Sequence, residues 1–162
     1  MIQSTEIRKI ARKIGLPAGL IEKDYANTLI LKEVYQHSLT KDMLVFKGGT
    51  AIYKLYFPTK WRFSEDLDFT TSSFGISGAK IVELFNEIID GLNEENPDTF
   101  EISSSHTNPG YTQMKIQYNG PLGSRNTTKI DISLKENIHF PIVQIAHEPN
   151  YIDIEKFTIN AY

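Results

Sequence analysis

The 162-residue chain contains no cysteine, which excludes disulfides and thiolate–metal centres. It also lacks any uncharged apolar run long enough to span a bilayer. Its first apolar positions are interrupted by Arg8, Lys9, Arg12 and Lys13, so no secretory leader is expected and a cytoplasmic protein is. Four histidines (His37, His106, His139 and His147) show no metal-ligand spacing. There is no G-x-x-x-x-G-K-[ST] phosphate loop, since Gly48-Gly49-Thr50 and Gly75 to Lys80 both miss that spacing. A G-x-S-x-G nucleophile elbow is absent too.

What is present suits one domain with a sizeable core: 40% of residues are hydrophobic and 23% charged. The net charge of −3 argues against strong nonspecific nucleic-acid binding, but the charge is unevenly placed. Residues 1–62 hold 11 Lys and Arg against 5 Asp and Glu, whereas residues 63–162 hold 6 against 15. A polyanion would meet positive potential at one end and carboxylates at the other. The plainer reading of the acids at 83–101 is a solvated helix face.

Periodicity gives the element order. Ile7, Ile10, Ala11 and Ile14 follow helical spacing, with Ser4 or Thr5 as a start and Gly15-x-Pro17 as a stop. A second helix is expected from about Pro17 to about His37, and Met43 to Phe46 reads as a short buried strand. Lys47-Gly48-Gly49 breaks that strand, and Thr50 opens a short helix. A loop at Pro58 to Trp61 leads to a second strand around Asp66 to Thr70. Ala79 to Glu95 is a strongly amphipathic helix. Extended segments follow at Phe100–Ser104, Tyr111–Tyr118 and Thr127–Leu134, and the tail from Asn137 suggests two or three short edge strands. The order predicts an α/β (α+β) fold: a small mixed sheet with helices packed on one face.

Three features bear on chemistry. Two glycines between a strand and a helix let backbone approach an anion near free helical N–H groups, although a Gly pair is also an ordinary tight turn. In Asp66-Leu67-Asp68-Phe69, strand alternation puts both carboxylates on one face, where they repel unless a cation sits between them. A lone Asp-x-Asp would more simply be a solvated strand face. Lys129-Ile130-Asp131-Ile132-Ser133 alternates cleanly, so Lys129 and Asp131 share the face opposite Ile130 and Ile132. If the two strands are neighbours, three carboxylates and one lysine converge, a set able to hold two metal ions. Lys54, one turn after Thr50, could reach a phosphate or face solvent. Arg62 and Ser64 could contact a nucleotide, or Arg62 could pair with nearby acids. Trp61, Tyr53, Tyr56 and Phe57 could stack a base, with packing the plainer use.

Phe46-Lys47-Gly48-Gly49-Thr50-Ala51-Ile52 followed by Arg62-Phe63-Ser64-Glu65-Asp66-Leu67-Asp68-Phe69 closely resembles the signature of AbiEii-type nucleotidyltransferase toxins. These belong to the DNA polymerase β-like superfamily and to bacterial abortive-infection and toxin–antitoxin systems. Ile21-Glu22-Lys23-Asp24-Tyr25 resembles that family's lead-in helix, and Lys129-Ile130-Asp131-Ile132 its third carboxylate strand. The resemblance spans about residue 5 to about residue 134. It implies a nucleotidyltransferase fold, with residues 1–40 a helical lead-in to a catalytic core. The family continues into a helical region with further Lys and Arg-Asp motifs; the sequence stops about where that region would begin, and so reads as truncated.

The resemblance further implies transfer of a nucleoside monophosphate from an NTP to an acceptor hydroxyl, with Mg²⁺ or Mn²⁺. Gly48, Gly49 and Thr50, helped by Lys54, Arg62, Ser64 and Lys129, would hold the nucleotide. Asp66, Asp68 and Asp131 would hold metal. The acceptor implied is tRNA and the partner a cognate antitoxin; no membrane is involved. The alternatives are a non-catalytic NTP- or RNA-binding remnant, or transfer to a protein or small-molecule hydroxyl.

Overall fold

The computed structural model describes residues 1–57, 65–73 and 75–162. The chain enters through α1 (Ser4–Ile14), which ends as Gly15 adopts the left-handed conformation (φ 79°). α2 (Ala18–Gln36) begins behind Pro17, whose fixed φ suits a helix entrance. Residues on every side of α2 are buried, because it lies between α1, α5 and the sheet. A single turn, α3 (Thr40–Met43), takes up Met43, so β1 runs Leu44–Lys47.

The helix after β1 starts on the glycines themselves. α4 (Gly48–Ala51) passes into a π-helical turn at Ile52–Tyr56. Within that turn Ile52 is 53% exposed, while Lys54 is 8% exposed. β2 (Leu67–Thr71) and α5 (Gly78–Glu95) follow, α5 capped by the Ser77 hydroxyl accepting from the Lys80 amide at 3.2 Å. The chain then forms β3 (Phe100–Asn108), β4 (Tyr111–Asn119), β5 (Arg125–Ser133), β6 (Val143–His147) and β7 (Phe157–Ala161).

These strands make one mixed sheet in the order β3-β4-β5-β2-β1-β7-β6. β2 runs antiparallel to β1 and parallel to β5. One face carries Phe46, Leu67, Phe69, Met114, Ile116, Ile130 and Ile132, all fully buried, and α2 and α5 pack on it. Each such side chain contributes about 1.5–3 kcal/mol on burial, which fixes the register, since a one-residue slip would invert every side chain. The opposite face therefore receives Lys47, Asp68, Asp131 and Gln113.

The tail departs from expectation. β7 is not an edge strand: it pairs in parallel with β1 through Phe46 and Ala161 and antiparallel with β6. Only β6 is an edge. Ile152, in the tail between β6 and β7, projects into solvent at 93% exposure, while nearby Ile154 is buried.

Candidate active site

Asp68 stands directly opposite Asp131 on the parallel pair β2–β5, and opposite Lys47 on β1. Asp66 lies one residue before β2. The Lys129 ammonium joins two of the three acids, 2.8 Å from Asp131 Oδ2 and 3.4 Å from Asp66 Oδ2. Asp66, Asp68, Asp131 and Lys129 are thus brought together on the open face.

The approach to β2 is fixed from beneath. The Thr50 hydroxyl, fully buried, donates to the Asp66 carbonyl at 2.5 Å. Asn27 and Thr128, both buried, donate to the Glu65 carbonyl at 2.9 and 3.1 Å. Lys23 adds an ion pair to the Glu65 carboxylate at 2.7 Å. The helix that carries Ile21 to Tyr25 is therefore the support on which the carboxylate strand is seated.

Gly48 and Gly49 are exposed beside the acids. Gly48 has φ 77°, open to glycine at no steric cost, and a Cβ there would collide with the Asp68 carboxylate. Thr50 belongs to the same turn, but its side chain braces Asp66 rather than facing the open side. The structure does not bring Lys54 to the group. Its ammonium is buried against Asp24 Oδ1 at 2.5 Å and Thr28 Oγ1 at 2.9 Å, and Tyr151 donates to the other Asp24 oxygen at 2.7 Å. Arg62 and Ser64, with Trp61, lie outside the described residues. Tyr56 and Phe57 are exposed and Tyr53 is partly exposed.

Two residues at the site carry no motif. Tyr111 donates its hydroxyl to Asp131 Oδ1, and Gln113 Nε2 donates to the same oxygen at 2.8 Å and to the Tyr111 hydroxyl at 2.9 Å. Thr112, Met114, Ile116 and Tyr118 alternate as the buried set of β4, a pattern visible in the sequence, which leaves Tyr111 and Gln113 on the Asp131 face.

The two central acids differ. Asp68 is pushed above the ordinary carboxylate value by burial first, then by the charges of Asp131 and Asp66. Burial also acts to raise Asp131, but the donors Lys129, Tyr111 and Gln113 outweigh it and hold Asp131 below its ordinary value. Lys129 is raised, first by its hydrogen bond to Asp131. An acid crowded by two others marks a place short of positive charge, and the donors are hard oxygens of the kind Mg²⁺ and Mn²⁺ prefer. The residues therefore fit a divalent cation. Among the described residues no three His, Cys, Asp or Glu already converge as a metal-ligand group; Lys129 lies between two of the acids.

A family model described as nucleotidyl transferase AbiEii toxin, type IV toxin–antitoxin system, matches residues 29–162, which include the whole of this group. The chain belongs to the AbiEii family. That family is described as one of nucleotidyltransferase toxins. No curated protein matches it. Among solved structures it is similar to MenT4, the nucleotidyltransferase toxin Rv2826c from Mycobacterium tuberculosis H37Rv, with a TM-score of 0.65 and 18% identity. The match covers 99% of this chain and 55% of the MenT4 chain, so the AbiEii chain spans about half that structure and shares its fold. No helix among the described residues is long and apolar enough to cross a membrane.

Proposed function

We propose that this AbiEii chain transfers a nucleoside monophosphate from an NTP to an acceptor hydroxyl, with Asp66, Asp68 and Asp131 holding a divalent cation. The observation that carries the reading is the direct pairing of Asp68 with Asp131 across β2–β5, with Asp66 tied to the same group through Lys129. A bound Mg²⁺ or Mn²⁺ would acidify the attacking hydroxyl and neutralise charge on the triphosphate.

The chain's own groups do the rest. The exposed backbone of Gly48 and Gly49 accepts the phosphates, and the helix that begins there offers N–H groups without intrahelical acceptors. Lys129 supplies positive charge on the same face. Asp131, kept ionised by three donors, is suited to hold a cation rather than to take up a proton. Asp68, with its raised affinity for protons, would be favoured in its charged form by a bound cation. The type IV toxin–antitoxin family supports an NTP substrate and an antitoxin partner. For the acceptor we take tRNA, on the family resemblance in the sequence, and for the biological setting growth arrest during phage infection in the cytoplasm.

Calorimetric titration with NTP, in Mg²⁺ and in excess chelator, tests the reading. Binding should be markedly tighter with Mg²⁺, because the triphosphate and the carboxylates share the cation. Equal affinity in both conditions contradicts it.

A further inference from the structure

The two oxygens of Asp131 have different partners. Oδ1 accepts from the Tyr111 hydroxyl and from Gln113 Nε2, neutral donors that also bond to each other. Among the described residues Oδ2 meets the Lys129 ammonium, at 2.8 Å, and that ammonium continues to Asp66 Oδ2 at 3.4 Å. Both neutral donors sit on β4, whose register sets Gln113 opposite Asp131 and Tyr111 opposite Ser133. The carboxylate is held at one end by a rigid pair on the neighbouring strand. At its other end it is held by a flexible side chain of its own strand.

We infer that Tyr111 and Gln113 are positioning residues that occupy Oδ1 and so present Asp131 to a divalent cation through Oδ2, the oxygen that Lys129 contacts. This rests on the three acids being the cation ligands. Removing a neutral donor leaves the site's charge unchanged and makes the carboxylate more basic, which by charge alone would not weaken a cation. Loss of orientation does weaken it, as expected when a ligand loses its outer hydrogen-bonding partner. Removing Lys129 has the opposite sign, because it takes away a cation competing for the same oxygens.

The test is Mn²⁺ binding without nucleotide, followed by electron paramagnetic resonance of the free ion, on the whole chain. Tyr111→Phe should weaken Mn²⁺ by about 10–100-fold with little change in thermal midpoint. Gln113→Met should do the same, and the double variant should be no worse than the stronger single one, since both act through one oxygen. Lys129→Met should tighten Mn²⁺. Wild-type binding with an unchanged or tighter Tyr111→Phe and Gln113→Met overturns the positioning role while leaving the cation site intact. Absence of Mn²⁺ binding to the wild type, or binding indifferent to Asp68→Asn, overturns the cation reading and this inference with it.

Discussion

Gly48 and Asp68 are packed so closely that any β-carbon on Gly48 would overlap the Asp68 carboxylate. The glycine also holds φ 77°, a conformation costing an L-residue roughly 1–2 kcal/mol. Gly48→Ala should therefore lower unfolding free energy by about 1–2 kcal/mol and weaken Mg²⁺-dependent NTP binding beyond that, because Asp68 must move. Urea unfolding and calorimetry on the folded variant separate the two. A variant that binds Mg²⁺–NTP like the wild type would show that this glycine serves the turn alone.

Lys54 was open to a phosphate-binding reading from its place one turn after Thr50, and the structure buries it. Its partner Asp24 is held by Tyr151 as well, so deletion of the ammonium strands a charge beneath the π-helical turn. Lys54→Met should cost about 3–5 kcal/mol of stability, the usual penalty for breaking a buried pair from one side. NTP affinity of the molecules that remain folded should change little. A stable variant with lost NTP affinity would return Lys54 to the nucleotide site.

Asp68 gives a pH-dependent prediction. Its folded-state proton affinity is raised above the ordinary value of 3.8, so folding favours the protonated form and the charge is imposed as pH rises through the raised value. Asp68→Asn should raise the thermal midpoint at neutral pH, and the gain should disappear below the ordinary carboxylate value, where the wild type is protonated in both states. A lower midpoint for the Asn variant at neutral pH contradicts the crowding of the three acids.

Much of this site was legible because alternation is a strong signal wherever one face is buried. Ile130 and Ile132 dictate where Asp131 points, and Leu67 and Phe69 dictate Asp68. Whether the two strands touch is a different matter. The parallel β2–β5 pairing joins residues far apart in sequence, and no local pattern announces it; the same holds for β7, inserted beside β1. Neither Tyr111 nor Gln113 implies chemistry by its residue type; alternation along β4 gives their face, and the hairpin register sets Gln113 opposite Asp131. A regular helix from Thr50 leaves Lys54 free to reach a phosphate, whereas the structure has a π turn at Ile52–Tyr56 with Ile52 exposed and Lys54 buried.

The most direct test of nucleotidyl transfer uses Asp131→Asn, which keeps the size of the side chain and removes its charge. Wild-type protein incubated with α-labelled NTP, Mg²⁺ and total tRNA should pass label to the tRNA. The Asn variant should be lower by orders of magnitude, with its thermal midpoint largely kept. Absence of labelling by the wild type, or equal labelling by the two proteins, would contradict the account.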